Sequence, residues 1–328
     1  MERRDKTRNS ACILPSAGAR QMTPRHRRRW LLATTAIALA GSLAFSSSAW
    51  TSNECGDASS GSVTCTAANN PYSDGIAYDL VNDLTLILAP GVTVTPVSGT
   101  PSSISGVSVS SNGYDIEVLS LDTTTYISIS GDPTTGDNAD GIYISDAASA
   151  TVEWAGSIAT DGRAAYGLYI YGTAGNATVD VSGTIVTKRV YSSGIAVQEV
   201  AGDTAVGVSG SITTYDRSYG VFILDTYGTV LVSVSGDIIT GKNFALAPAR
   251  GSAGIEIDDT SSSVVATLDS GGTITTYGAS AYGIGIRRTG VASDGDTDYI
   301  TVDVSGDITT HGDTSPASTC VRASAMRS

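Results

Sequence analysis

The segment from Val179 to Val197, VDVSGTIVTKRVYSSGIAV, constrains the fold most, because similar segments recur from about residue 127 almost to the end of the chain. Its first half returns at residues 232–238 and 302–308, and looser copies are centred on Gly131, Gly156, Gly210 and Gly272. The glycines of the first five copies are 25 to 27 residues apart, and inserts at 243–251 and 289–298 lengthen the last two gaps. A repeat of this length predicts a solenoid.

Side chains within each repeat alternate between apolar and polar, which is the pattern of a β-strand with one buried face. Val179, Val181 and Ile185 are predicted to point into a core, and the polar residues between them to point outward. A second short strand follows in the pattern Gly-apolar-x-apolar, as in Gly194–Val197. One repeat buries too few aliphatic side chains to offset the entropy of ordering its backbone, so successive coils must stack and pair. The prediction is an all-β parallel β-helix with coils of about 26 residues.

The charge distribution excludes one class of partner. The first 49 residues hold 9 of the 19 Lys and Arg residues but only 2 of the 32 Asp and Glu residues, which leaves 10 basic and 30 acidic residues in the remainder. A body this acidic repels nucleic acid and anionic membrane surfaces. We therefore expect no nucleic-acid partner, whereas glycans or proteins remain compatible.

Residues 25–49 are typical of an export signal, with a basic cluster, an apolar run from Trp30 to Phe45 and small residues before Trp50. A membrane-spanning helix is the alternative, but it needs about 20 apolar residues, and this run is shorter and interrupted by polar residues. The arginines before Trp30 also leave a twin-arginine route open. Met22 is the expected true start, because it alone would open a signal peptide of ordinary length.

Because the chain is expected to be exported, Cys55 and Cys65 are predicted to form a disulfide. A zinc site of four ligands is not predicted, because no second cysteine pair lies near them. The chain then divides into an extension with signal peptide (1–49), a cap with irregular first coils (50–125), the repeats (126–316) and an aperiodic tail (317–328). Because the period fails abruptly at Pro316, we interpret the tail as out of frame, which would leave Cys320 without a structural role.

Candidate catalytic and metal sites are few. His311 is the one histidine of the exported chain and is expected in a solvated turn, so a Ser-His-Asp triad is not predicted. Asp258 and Asp259 could form the carboxylate pair of a polysaccharide hydrolase with Arg287 and Arg288 nearby, but an ordinary polar turn is the favoured interpretation. The alternating Asp294, Asp296 and Asp298 lack the positions of a calcium loop. We predict no catalytic residue, no metal and no cofactor.

The remaining candidates are aromatic rings on the second strand of the repeat, which could form an outward ladder. Such rings could bind sugars or a protein partner, or they could simply cover the neighbouring coils. The candidate ligand contacts are Tyr143, Tyr166, Tyr169, Tyr219, Phe222 and Tyr282.

Taken together, the signal peptide, the Cys pair in an ECG…TC context and the degenerate VSGxIxT and YGIxI coils resemble the passenger region of bacterial autotransporters (type V secretion) over about residues 25–316. The resemblance implies a right-handed β-helix exported by a Gram-negative bacterium to its cell surface, outer membrane or medium. It also implies a C-terminal translocator barrel, which this sequence lacks, so a periplasmic location is the alternative. The expected function is a non-enzymatic adhesin or stalk that meets host or matrix glycans or proteins, and the alternative is a polysaccharide lyase or hydrolase on a β-helix.

Overall fold

The computed structural model describes residues 54–96, 104–130, 139–215, 217–242, 252–278, 281–287, 289–290, 299–311 and 325–326. Two short 3₁₀ helices, η1 (Ala58–Ser60) and η2 (Ala67–Asn69), lie near the start of this part. The strands, in chain order, are β1 (Ser62–Cys65), β2 (Ile76–Asp79), β3 (Leu84–Leu88), β4 (Thr93–Val94), β5 (Val107–Ser110), β6 (Ile116–Ser120), β7 (Tyr126–Ser130), β8 (Ile142–Ser145), β9 (Ala150–Trp154), β10 (Ser157–Asp161), β11 (Leu168–Thr173), β12 (Ala177–Val181), β13 (Thr184–Thr187), β14 (Ile195–Val200), β15 (Thr204–Val208), β16 (Ser211–Thr214), β17 (Tyr219–Thr226), β18 (Val230–Val234), β19 (Asp237–Thr240), β20 (Ala253–Thr260), β21 (Val264–Leu268), β22 (Thr273–Tyr277), β23 (Tyr282–Arg287), β24 (Thr289–Gly290), β25 (Ile300–Val304), β26 (Asp307–His311) and β27 (Ala325–Met326).

Three parallel sheets form the walls of the molecule. Sheet A has the order β1-β3-β6-β9-β12-β15-β18-β21-β25, sheet B the order β4-β7-β10-β13-β16-β19-β22-β26, and sheet C the order β2-β5-β8-β11-β14-β17-β20-β23. From β6 to β23 the chain visits A, B and C in turn, so each strand pairs with the equivalent strands of neighbouring coils, whereas β24 and β27 form a separate two-stranded sheet. The predicted parallel β-helix is therefore confirmed. Within the described residues, no helix has the length and apolar character needed to span a membrane.

The core consists of aliphatic ladders that run along the axis. In sheet B, Ile158, Ile185 and Ile212 pair in register, and all three are buried. As the alternation predicts, Val179 and Val181 on β12 are also buried, and the polar residues between them face outward. Coils about 4.8 Å apart place each side chain in contact with its equivalents above and below.

The glycine of the second strand is required by a contact between coils. A Cβ on Gly194 would lie 2.3 Å from Cγ2 of Ile212 in the next coil and 2.8 Å from the carbonyl oxygen of Gly220. Gly167 meets Ile185 in the same way, again at 2.3 Å. The two halves of the repeat motif are thus one interface, in which the glycine of one coil makes room for the isoleucine of the next.

Among the described residues, left-handed backbone positions are occupied by glycine and by other residues in equal number. Tyr191 has φ of 61° and Arg217 has φ of 52°, at one corner after sheet B. Asp225 and Asp259 have φ of 54° and 51° near the end of strands in sheet C. Repeat glycines such as Gly183, Gly194 and Gly220 instead serve close approach between coils.

The first coils belong to the same three sheets as the later ones, because β1, β3 and β6 continue sheet A without a break. The structure joins Cys55 and Cys65 by a disulfide with Cα atoms 4.8 Å apart. Tyr72 takes the place of a sheet B strand in the first coil through a single bridge to Val94. The predicted signal peptide, most of the two inserts and most of the tail lie outside the described residues.

Candidate functional site: the outer face of sheet C

The outer face of sheet C is built from columns of residues that share one register position. One column runs Ser108, Tyr143, Tyr169, Ala196, Phe222, Glu256 and Gly285. The next column, two residues further along each strand, runs Ser110, Ser145, Tyr171, Gln198, Leu224, Asp258 and Arg287. Side chains in both columns point away from the core because they alternate with the buried aliphatic ladders.

Four tyrosines come together on β8, β11 and the turn before β11, and we call Tyr143, Tyr166, Tyr169 and Tyr171 the tyrosine cluster. The ring centroid of Tyr169 lies 5.5 Å from that of Tyr143, 4.8 Å from that of Tyr166 and 6.0 Å from that of Tyr171. The rings are tilted by 42° to 54°, which is a favourable geometry for aromatic pairs. All four side chains are half-buried, so each keeps part of its surface open to solvent.

Carboxyl groups border the tyrosine cluster: Asp140 is buried, whereas the exposed Glu199 forms a hydrogen bond with the Tyr171 side chain. Asp140 lies beneath Tyr166, is 3 % exposed and accepts a hydrogen bond of 2.7 Å from the backbone N–H of Tyr166. Burial raises the pKa of Asp140 well above its ordinary value, which favours the neutral acid. The Tyr169 hydroxyl lies 3.1 Å from the side-chain oxygen of Gln198 in the next coil. The cluster is thus an aromatic and polar surface with a buried acid beneath it and an exposed carboxylate, Glu199, beside Tyr171.

The aromatic column is interrupted rather than continuous. Ala196 separates Tyr169 from Phe222 and is fully buried. Beyond this gap, Tyr219 and Phe222 form a stacked pair with centroids 5.0 Å apart and an interplanar angle of 24°. The six predicted contact residues are therefore divided among two aromatic groups and a third group around Tyr282, instead of forming one ladder.

The third group, which we call the glutamate cluster, consists of Glu256, Tyr282 and Arg287. One carboxylate oxygen of Glu256 accepts a hydrogen bond from the Tyr282 hydroxyl. The other lies 3.0 Å from Nε of Arg287, whose guanidinium group also lies 5.3 Å from the centroid of the Tyr282 ring and donates to the Tyr282 hydroxyl. Gly285 leaves the space for this arrangement, since a Cβ there would meet both the Tyr282 ring and the Glu256 carboxylate.

The pKa of Glu256 is raised to about 7, mainly by burial and to a smaller extent by the nearby Asp258. The hydrogen bond from Tyr282 and the charge of Arg287 both lower this pKa, but burial is the larger effect. Glu256 is 1 % exposed. The carboxyl group could exchange a proton near neutral pH, yet a ligand could reach it only if the Tyr282 ring moved aside.

The residues weighed as catalytic or metal-binding have other surroundings. Asp258 and Asp259 lie within strand β20 rather than in the expected polar turn; Asp258 is 8 % exposed and accepts a hydrogen bond of 3.0 Å from the backbone N–H of Asp259. Asp258 and Arg287 are register partners on β20 and β23. His311 is the last residue of β26 and does not lie in a turn. Its ring stacks on the ring of Tyr277, with the centroids 4.7 Å apart. Arg288, Asp294, Asp296 and Asp298 lie outside the described residues.

Sequence reasoning missed Glu256 and Tyr171. The signal for Glu256 was available, since the motif Gly254–Ile257 aligns it with Phe222 in the preceding copy. Tyr171 lies one alternation beyond Tyr169 and could have been found in the same way. Among the described residues, no group of three or more His, Cys, Asp or Glu side chains is placed to hold a metal ion.

Comparison of the chain with protein-family models, with curated proteins and with solved structures found no match.

Proposed function

We propose that this chain is an exported, non-enzymatic β-helix of the autotransporter passenger type, acting as an adhesin whose sheet C binds neutral sugar chains. The observation that carries the proposal is the group of aromatic side chains in one outward column of sheet C. From Ser108 to Phe222 the outward column holds only hydroxyl, aromatic and alanine side chains. Ring faces of this kind stack against the apolar faces of sugars, and hydroxyl groups at their edges supply hydrogen bonds.

The dimensions suit an extended ligand. From the coil of Tyr143 to the coil of Phe222 there are three steps along sheet C, which span about 14 Å at the usual strand spacing. The tyrosine cluster and the Tyr219–Phe222 pair therefore offer two separate platforms along one line. The remaining coils act as a stalk, because stacked parallel coils form a stiff rod of uniform cross-section.

The test is binding of neutral and acidic oligosaccharides to the purified protein and to the double variant Tyr143→Ala, Tyr169→Ala. We expect the wild type to bind at least one neutral glycan, and the variant to bind it at least about tenfold more weakly, since tenfold corresponds to about 1.4 kcal/mol. Tyr227→Ala is the matched control, because Tyr227 is 65 % exposed in a turn outside the cluster. Equal binding by the double variant would contradict the assignment of the site.

A second candidate, cleavage of a polysaccharide, is favoured by the pKa of Glu256 near 7 beside Arg287. Glu256 would act as the base or acid and Arg287 would hold a substrate carboxylate. Incubation with uronic acid polymers tests this, because a lyase product absorbs in the ultraviolet and a hydrolase releases reducing ends. Activity that is lost in Glu256→Gln would support this candidate, and unchanged polymer would support binding alone.

A further inference from the structure

Basic residues are concentrated on one corner of the molecule, where sheet B leads into sheet C. The described part of the chain contains six Lys and Arg residues, and five of them lie within three residues of the end of a sheet B strand. The four strands concerned, β10, β13, β16 and β19, are consecutive in sheet B. We call this corner the basic ridge, and it consists of Arg163, Lys188, Arg189, Tyr191, Arg217 and Lys242, all of them exposed.

Tyr191 organises the middle of the ridge. The guanidinium carbon of Arg163, from the coil before, lies 5.4 Å from the Tyr191 ring centroid, and that of Arg217, from the coil after, lies 5.9 Å away. Arg217 also donates a hydrogen bond of 2.8 Å to the Tyr191 hydroxyl. Cation–π contacts of this kind hold the two guanidinium groups near one another although they repel.

Buried serines hold the backbone of the ridge in place. The Ser192 hydroxyl donates to the carbonyl of Gly162 at 2.8 Å and accepts from the N–H of Ala165 at 3.1 Å, both in the preceding coil. The Ser218 hydroxyl accepts from the N–H of Ser192 at 3.0 Å and donates to the carbonyl of Arg189 at 3.3 Å. The exposed cations therefore lie on a backbone that is held by hydrogen bonds between neighbouring coils. This lowers the conformational entropy that the protein loses when a ligand binds.

The acidic residues of the same corner do not cancel this charge. Asp161 pairs with Arg189 at 2.6 Å and so offsets one of the five cations. Arg163 and Arg217 keep guanidinium groups exposed to solvent, and such groups recognise carboxylate and sulfate oxygens through paired hydrogen bonds. A row of cations on an otherwise acidic molecule directs an anionic ligand to this corner alone.

We propose that the basic ridge binds a linear acidic polysaccharide, bearing sulfate or carboxylate groups, that lies along the axis of the molecule. Four coils at the usual strand spacing give the ridge a length of about 14 Å. This surface is separate from the aromatic face of sheet C, so it adds a second class of glycan to the proposed function and does not depend on it.

A polysaccharide fits the ridge better than a nucleic acid for two reasons. Duplex DNA carries about one charge per 1.7 Å, so most of its charge would extend past the ridge and lie against acidic surface. Binding of a single strand relies on open aromatic faces for base stacking, whereas Tyr191 already holds two guanidinium groups. A polymer with fewer charges per unit length is repelled less by the acidic surface of the rest of the molecule.

The experiment measures binding of fluorescently labelled heparin to the full chain and to Arg163→Gln, Arg217→Gln at several salt concentrations. We expect the double variant to bind at least about tenfold more weakly near 0.1 M salt, and the slope of log K against log salt to fall by about two, one for each cation removed. The control Thr178→Glu, Leu231→Glu makes the same change in net charge on exposed positions of sheet A, and its binding should change by less than about twofold at this ionic strength.

Three results would overturn the proposal: no heparin binding by the wild type, equal losses in the variant and in the control, or tighter binding of a single-stranded oligonucleotide than of heparin. Circular dichroism and thermal unfolding of each variant show whether the fold is kept. The variant Tyr143→Ala, Tyr169→Ala should bind heparin as the wild type does, so failure of the aromatic site and failure of the ridge are separate outcomes.

Discussion

Replacing Glu256 by glutamine tests whether burial controls the titration of the glutamate cluster. The pKa of Glu256 is raised from an ordinary value of 4.5 to about 7 in the folded protein. Between these two values the folded state holds more protons than the unfolded state, so the stability contributed by this group is present below pH 4.5 and is lost as the pH rises through 7. Integrated from pH 5 to pH 8, the loss amounts to about 2.5 kcal/mol at 1.36 kcal/mol per pH unit.

Glutamine has nearly the shape of glutamate but does not titrate, so Glu256→Gln should remove this component of the pH dependence. Urea unfolding at pH 5, 6, 7 and 8 measures the free energy of unfolding of both proteins. The difference between wild type and variant should fall by about 2.5 kcal/mol across this range, and most of the fall should lie between pH 5 and 7. Amide exchange in β20 and β23 supplies a local measurement, since coils of a solenoid can open separately.

The control is Glu153→Gln, which removes an exposed carboxylate from the outer face of sheet A. Its pH curve should run parallel to that of the wild type. A Glu256→Gln curve that is also parallel to the wild type, or a difference that grows with pH, would refute the reasoning that burial dominates over Arg287 and Tyr282.

Two further predictions concern the stacking of coils and the first coil. Gly194→Ala should lower the free energy of unfolding by about 2 kcal/mol or more, because its Cβ would overlap Ile212, whereas Gly207→Ala faces outward with 3.3 Å to its nearest neighbour and should change it by less than about 1 kcal/mol. Equal effects in chemical denaturation would mean that the glycine–isoleucine contact is not tight. Replacing Cys55 and Cys65 by serine should destabilise the first coils by about 2–3 kcal/mol, measured by amide exchange in β1, and unchanged exchange would show that the disulfide is dispensable.

The fold could be predicted from the sequence because the alternation within strands and the spacing between repeats both indicate a β-helix. Alternation placed Val179 and Val181 inside, and the spacing of repeat glycines gave the length of a coil. The same alternation of buried and less buried residues is present in β3 and β6 of the first coils. Local periodicity suffices here because every long-range contact in a solenoid joins equivalent positions of neighbouring repeats.

The candidate site was predicted less well, because its properties depend on contacts across coils. The outward position of Tyr143 and Tyr169 follows from alternation, but their distances follow from the register of β8 with β11. The pKa of Glu256 depends on how completely the carboxyl group is buried beside Tyr282. The spacing of residues in the sequence does not predict this degree of burial. The basic ridge was overlooked because Arg163 and Arg217 are 28 and 26 positions away from Tyr191 and become its neighbours only through stacking.

The glycine–isoleucine contact has a consequence for how such a molecule can change in length. The glycine of each coil meets the isoleucine of the next, so the bottom of every coil is shaped to receive the top of any other. A duplicated coil would make the same glycine–isoleucine contact with the coils before and after it and need no compensating substitution. Each added coil would extend the molecule by only about 4.8 Å, the spacing of paired strands. Reach can therefore be adjusted in small, regular increments by gain or loss of whole coils, while surfaces on other coils stay intact.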